Sequence, residues 1–186
     1  ATQDSLDLAV LLKTSDFSKN GIKISPYTAA IQLTLNEAYR DAKKKLKGAV
    51  SPQGKGRTFW LRPVDTVIMN PPFTDRNKIT NEMRDKLKDN MLNQVCGNAV
   101  NLWGYFLALS DLLLKPNGRL GTVIPINIAR GTSTEKIRKF LLENYHIEYI
   151  VKPTGDFALS EGASFKDILF FAQKMKPTDN DMTTLV

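Results

Sequence analysis

The 186-residue sequence holds one cysteine and one histidine. Cys96 has no partner for an internal disulfide, and Cys96 with His146 falls short of the four ligands of a structural zinc site. This cysteine usage fits a reducing compartment, so the expected location is the cytoplasm. No apolar run approaches the roughly 20 residues that cross a bilayer, and no secretory signal is visible. Patterned glycine is scarce. The one Gly-x-Gly, Gly54-Lys55-Gly56, lies in a loop over 48–56, ahead of a strand-like Arg57-Thr58-Phe59-Trp60-Leu61. A glycine turn that cradles a nucleotide follows a strand and opens a helix, so this one is excluded as a cofactor loop. Acidic residues are the minority charge, and the net charge of +7 suits a polyanionic partner. With 42% hydrophobic and 24% charged residues, the chain has the composition of one globular domain with a real core. It opens at Ala1-Thr2 without a methionine, which reads as a piece of a longer protein.

What is present centres on Val64-Asp65-Thr66-Val67-Ile68-Met69-Asn70-Pro71-Pro72-Phe73. Val64 to Met69 reads as a buried strand. Two prolines end it, because each lacks an N–H and fixes φ at about −65°. A stiff lip results at the strand's C-terminal end, where open α/β sheets bind ligands. Asn70 offers a carboxamide oxygen as acceptor and an NH₂ as donor. Pro71 and Pro72 present bare carbonyls, and Phe73 presents a flat ring. Together they suit a planar heterocycle with an exocyclic amine: oxygens accept the amine protons, the ring stacks, and the amine lone pair is left free to attack an electrophilic methyl. The plainer reading is a strand followed by a polyproline turn.

Along the rest of the chain, residues 4–13 read as a short helix and Gly21 to Ile24 as a strand. Ser25-Pro26 reads as a helix start, and Ile31, Leu35, Ala38, Ala42 and Leu46 form one face of a helix to about Leu46. Lys43, Lys44, Lys45 and Lys47 read as its solvated, dipole-favoured end. After a polar loop at Thr74 to Lys78, residues 80–92 are weakly helical. Gly97 to Lys115 reads as a strong helix stopped by Lys115-Pro116-Asn117-Gly118. On it Trp103 and Phe106 read as core before a base-stacking platform. Asn98 and Asn101 stand near its start. Arg119 to Pro125 reads as a buried strand. Thr132-Ser133-Thr134-Glu135 has the form of a capping box, opening a helix whose apolar face is Ile137, Phe140, Leu141 and Tyr145. Strands follow at Ile147–Val151 and Asp167–Ala172, with a loop from Phe157 between them. His146 reads as structural, and Pro177 to Val186 as a frayed end or linker.

The segment Val67 to Phe73 resembles the catalytic motif of amino-group methyltransferases that use S-adenosylmethionine, best the adenine-N6 DNA methyltransferases of restriction–modification systems. The same motif occurs in rRNA guanine-N2 and protein-glutamine methyltransferases, so it marks the chemistry more sharply than the substrate. Downstream, Gly118-Arg119-Leu120, Arg130-Gly131, Ile137-Arg138, Pro153, Gly162 and Ile168-Leu169-Phe170 follow in the order seen in type I modification subunits; the resemblance covers about residues 60–175. It implies an α/β, Rossmann-like S-adenosylmethionine-dependent methyltransferase core with a mostly parallel sheet, incomplete on its N-terminal side. Residues 1–176 would be the partial catalytic domain and 177–186 a tail or linker. It implies catalysis by Asn70, Pro71, Pro72 and Phe73 without a metal, and cofactor contacts at Ile24, Ser25 and Asn70. Lys23 and Ser25 stand where the family carries carboxylates. Arg76, Lys78, Arg130 and Lys166 become candidates for phosphate contacts beside the reading as plain exposed charges. Phe165 could close over a flipped base or pack in the core. The implied partners are double-stranded DNA and specificity and restriction subunits. The alternatives are an RNA methyltransferase acting on a guanine amine, and a DNA-binding subunit that keeps the fold without catalysis.

Overall fold

The computed structural model describes residues 12–13, 17–24, 59–74, 81, 87, 92–97, 100–153 and 166–186, with the side chains of Lys23, Ile24 and Phe59 excepted. The described residues include a helical turn, α1 (Phe17–Asn20), and two short strands, β1 (Ile22–Ile24) and β2 (Phe59–Leu61). These two pair antiparallel, Ile22 opposite Leu61 and Ile24 opposite Phe59. The remainder is β3 (Val64–Met69), α2 (Asn93–Cys96), α3 (Leu102–Leu113), β4 (Leu114–Pro125), two 3-10 turns (Ile126–Ala129 and Thr132–Thr134), α4 (Glu135–Asn144), β5 (His146–Val151), β6 (Asp167–Gln173) and β7 (Thr184–Leu185).

The main sheet has the order β3-β4-β6-β5-β7. The α/β class is as expected, but the sheet is mixed: β3–β4 and β5–β7 run parallel, β4–β6 and β5–β6 antiparallel. The parallel pair follows from α3, which carries the chain back across the sheet between β3 and β4 as a crossover helix. Leu120, Ile124, Ile168, Phe170 and Ala172 leave one face of the sheet, all buried, and meet Trp103, Leu107, Ile137 and Leu141 from α3 and α4 in a single core. Trp103 is 1% exposed, so it is core and offers no stacking surface. Burying a side chain such as Leu107 is worth about 1.5–3 kcal/mol.

Several expectations change. The helix expected over Gly97 to Lys115 is shorter, α3 over Leu102–Leu113, and Gly97, at φ 74°, ends the preceding α2 instead of opening it. Within α3, Gly104 permits the close approach of Val100, whose Cγ2 would lie 2.7 Å from an added Cβ. The Cys96 thiol donates to the Gly104 carbonyl at 3.1 Å, and burial pushes its pKa up. Strand β4 starts at Leu114 and runs through the expected helix stop: Pro116 falls where the pairing with β3 is irregular, between Val64 and Thr66, and such an irregularity tolerates a missing N–H. The capping box does not form. Thr134 precedes α4 and makes no cap bond; its hydroxyl donates toward the carbonyl oxygens of Asn127 and Gly131 at 3.0 and 2.9 Å instead. The segment expected as a frayed end supplies β7, with Val186 N–H donating to Ile150 O at 3.0 Å and Lys152 N–H to Val186 O at 2.8 Å. The readings for residues 4–11, the helix over 26–46, the loop over 48–56, Asp75 to Lys78, most of 80–92, Asn98 and Phe157 to Phe165 lie outside the described residues.

Candidate active site

Strand β3 delivers the motif. Met69 pairs with Thr122 of β4, so Asn70 leaves the sheet beside Val123, at the end where β4 finishes in Pro125. Asn70 and Pro72 are exposed, Pro71 is buried and Phe73 is half-buried against the core. Both flanks of the lip are pinned. Before it, the Ser110 hydroxyl of α3 lies 3.3 Å from the Met69 sulfur. After it, Leu102 N–H, in the first turn of α3, donates to Thr74 O at 3.4 Å. A rigid pair of prolines held at both sides fixes the backbone that carries the Pro71 carbonyl and presents the Asn70 side chain, with little backbone freedom left to lose on binding.

The neighbouring loop is built by a residue whose sequence position gave it no role. Arg138 of α4 donates to Ile128 O and Gly131 O, each at 3.0 Å, and to the Thr134 hydroxyl at 3.2 Å. Gly131 fits only without a side chain, since an added Cβ would lie 2.8 Å from Asn127 O. This clamp sets Arg130, exposed, at the sheet end. Lys166, also exposed, is held at the same end by its carbonyl, which accepts from Ile126 N–H at 2.9 Å.

Of the residues named from sequence, Asn70, Pro71, Pro72, Phe73, Arg130 and Lys166 therefore meet at one end of the sheet. Arg76, Lys78, Phe165 and Ser25 lie outside the described residues, as does the Ile24 side chain. Strand β1, which carries Ile24, belongs to the separate antiparallel pair and not to the main sheet. Two residues at this end were missed from sequence. Asn127 Oδ1 and both carboxylate oxygens of Asp167 are buried and hydrogen-bond nothing. No pattern in the sequence flags them, because Asp167 merely heads an apolar run. An apolar cavity of about 500 Å³ between α4 and the sheet borders the loop held by Arg138, lined by Ile126, Ile128, Arg138, Leu141, Ile168 and Leu185 among others, and none of Asn70 to Phe73 lines it.

Residues 5–158 match the family model described as Eco57I restriction-modification methylase. The chain is 35% identical over 115 residues to the type II methyltransferase M.BanIII of Aneurinibacillus aneurinilyticus, an alignment that spans 62% of this chain and 19% of that protein. It is 28% identical over 117 residues to the type II methyltransferase M.HincII of Haemophilus influenzae, spanning 62% and 23%. These alignments cover about a fifth of the length of the curated relatives. Among solved structures, the type I restriction-modification system methyltransferase subunit from Streptococcus thermophilus aligns with a TM-score of 0.46 at 22% identity, over 66% of this chain and 25% of that one.

Proposed function

The chain belongs to the Eco57I restriction-modification methylase family, and from that premise we propose that the whole protein methylates the N6 amine of adenine in DNA, with S-adenosylmethionine as donor, within a restriction–modification system. The observation that carries this reading is the Asn70-Pro71-Pro72-Phe73 lip, which stands at the C-terminal end of a strand that lies parallel to its neighbour, with Asn70 and Pro72 exposed. The family match favours DNA over the rRNA alternative. The described residues fit the methyl-accepting side of the reaction; of the cofactor contacts implied by sequence, Asn70 is the one whose side chain is described. When bound, S-adenosylmethionine supplies an electrophilic methyl on its sulfonium.

The chain's own residues then act by position. The Asn70 carboxamide oxygen and the Pro71 carbonyl oxygen accept the two amine protons, which turns the nitrogen lone pair out of conjugation and toward the methyl. Phe73 stacks on the base, which must leave the duplex to reach the lip at a cost of a few kcal/mol. Transfer would break the methyl–sulfur bond, leaving a neutral thioether, and the amine proton made surplus by the new N–C bond would leave along the hydrogen bond to Asn70 and pass to solvent, to which Asn70 is open. Fixed acceptors aimed at developing positive charge need no reorganisation at the moment of reaction. Arg130 and Lys166 flank the lip as phosphate-binding cations. Specificity and restriction subunits are the partners this assignment calls for.

The test is tritiated methyl transfer from S-adenosylmethionine to unmethylated DNA by the full-length protein, with the product nucleoside identified by mass spectrometry. N6-methyladenine, lost in Asn70→Ala, is the expected result. A methylated cytosine or guanine overturns the adenine assignment, and turnover that survives Asn70→Ala overturns the role of the lip.

A further inference from the structure

A buried carboxylate without a partner is costly, because desolvation of the charge is offset by nothing. Asp167 is 2% exposed, and both its oxygens are orphaned. It is also placed where a ligand would come. Its Cα partner is Pro125, the last residue of β4, and its chain neighbour Lys166 is exposed. Residues 168, 170 and 172 of β6 face the helices, so alternation places Asp167 on the other face, with Phe171. Asn70 follows the exposed Ile68 by two positions and falls on that same face. Asn127, in the turn after Pro125, adds a third orphaned oxygen at this end of the sheet. Groups left unsatisfied in a folded protein call for an absent partner, and three oxygens with no donor among them call for a partner that donates.

We infer that Asp167 is a ligand-binding residue of this site, whose carboxylate accepts hydrogen bonds from an N–H donor group of a bound ligand, with Asn127 Oδ1 as an auxiliary acceptor. In a dry setting such a charge-assisted bond is strong and directional. The inference deepens the methyltransferase reading and rests on it only for the names of the ligands. Two carry the required chemistry: the ammonium of S-adenosylmethionine and the amine edge of a nucleobase.

Binding is measured with the full-length protein and its Asp167→Asn variant, using S-adenosylhomocysteine, 5′-methylthioadenosine (which lacks the ammonium) and duplex DNA bearing unmethylated adenines as probes. Thermal unfolding of the free proteins is recorded alongside. Asp167→Asn is expected to unfold at the same or a higher temperature, because an unpaired buried charge is gone, and to bind one probe about tenfold more weakly. Weakening of S-adenosylhomocysteine alone assigns the ammonium; weakening of DNA alone assigns the base amine. Unchanged affinity for all three probes overturns the inference, and so does a lowered unfolding temperature with unchanged affinities. Asp167→Ser, smaller and uncharged, is the second variant should Asp167→Asn fail to fold. Methyl transfer to DNA by the unsubstituted full-length protein, run in parallel, tests the methyltransferase reading separately: absence of transfer there fails that reading whatever Asp167 does.

Discussion

The two ends of the main sheet treat polar groups in opposite ways. At the end where β4 begins, they are paired. Lys174 Nζ contacts the Asp111 carboxylate at 3.1 Å and donates to the carbonyls of Asp111 and Leu114 at 2.5 and 3.3 Å. The Tyr145 hydroxyl donates to the same carboxylate at 2.7 Å, and Gln173 donates to Asn117 O at 3.0 Å. At the end where β4 finishes, the Asn70 side chain is open to solvent, and oxygens of Asn127 and Asp167 stay buried and unpaired. Both ends share the same strands and the same core. The difference is that one end has its polar groups paired, and the other, beside the loop that Arg138 and Thr134 hold together, leaves three buried oxygens for something else to satisfy. Unpaired groups clustered at one end mark a binding site; paired ones mark a brace.

Asn70→Ala breaks the comparison most sharply. Loss of one preorganised acceptor is expected to slow methyl transfer by on the order of 10²–10³. The folding free energy should move by no more than about 0.5 kcal/mol, since Asn70 is exposed. Single-turnover kinetics and denaturant unfolding of the same variant check both halves. A large loss of stability would show that Asn70 belongs to the brace.

Lys174→Met is the converse experiment. It leaves part-buried acceptors without their donor, and should cost about 1–3 kcal/mol in urea unfolding while transfer by the folded protein is preserved. Tyr145 adds a pH signature to this end. Burial, followed by the neighbouring Asp111 charge and its hydrogen bond, pushes the Tyr145 pKa up. A raised folded value means that its contribution is full below the unfolded tyrosine pKa of about 10 and is lost as pH rises beyond it. Tyr145→Phe should flatten that alkaline loss.

The same division explains what could be read in advance. Strands β4 to β6 and the cores of α3 and α4 were legible because burial on a sheet or helix face imposes periodicity on apolar residues; β3 was legible as a strand, but it is not the buried strand expected, since it ends the described sheet, none of its residues is buried and Ile68 is 85% exposed. The lip was legible because prolines after a β-branched run leave few conformations. Strand β7 was not: Thr178-Asp179-Asn180-Asp181 carries no apolar alternation, and only main-chain pairing with β5 makes Thr184–Leu185 a strand. The early start of β4 was hidden by Pro116-Asn117-Gly118, turn residues that the structure absorbs in a strand irregularity with Asn117 at φ 64°. Asp167 was hidden for a different reason. Burial of a polar group depends on what surrounds it in three dimensions, and an aspartate at the head of the strand Ile168-Leu169-Phe170-Phe171 looks like any exposed strand end.

Arg130→Gln and Lys166→Gln sharpen the description of the open end by smaller amounts. If each cation meets one phosphate, each substitution should weaken DNA binding uniformly across sequences and lower the slope of log K against log salt by about 1. Titrations at several salt concentrations measure this directly. An unchanged slope in both variants would assign the two side chains to solvent and leave the lip without its electrostatic flank.

The smallest expected effect concerns β7, which adds an edge strand without touching the lip. The Thr183 hydroxyl donates to Ile147 O at 2.8 Å in an exposed setting, and His146 Nδ1 lies 3.9 Å from an Asp181 oxygen. Thr183→Val removes the hydroxyl while keeping the β-branched shape that suits a strand. It should cost about 0.5–1.5 kcal/mol of stability and leave transfer and DNA affinity unaltered, because β5 separates β7 from the strands that carry Asn70 and Asp167. Hydrogen exchange at Val186 and Lys152, whose amides close this pairing, reports the loss locally. A fall in turnover without a fall in stability would couple the outermost strand to the site, and the paired brace and the open acceptors would then be one unit.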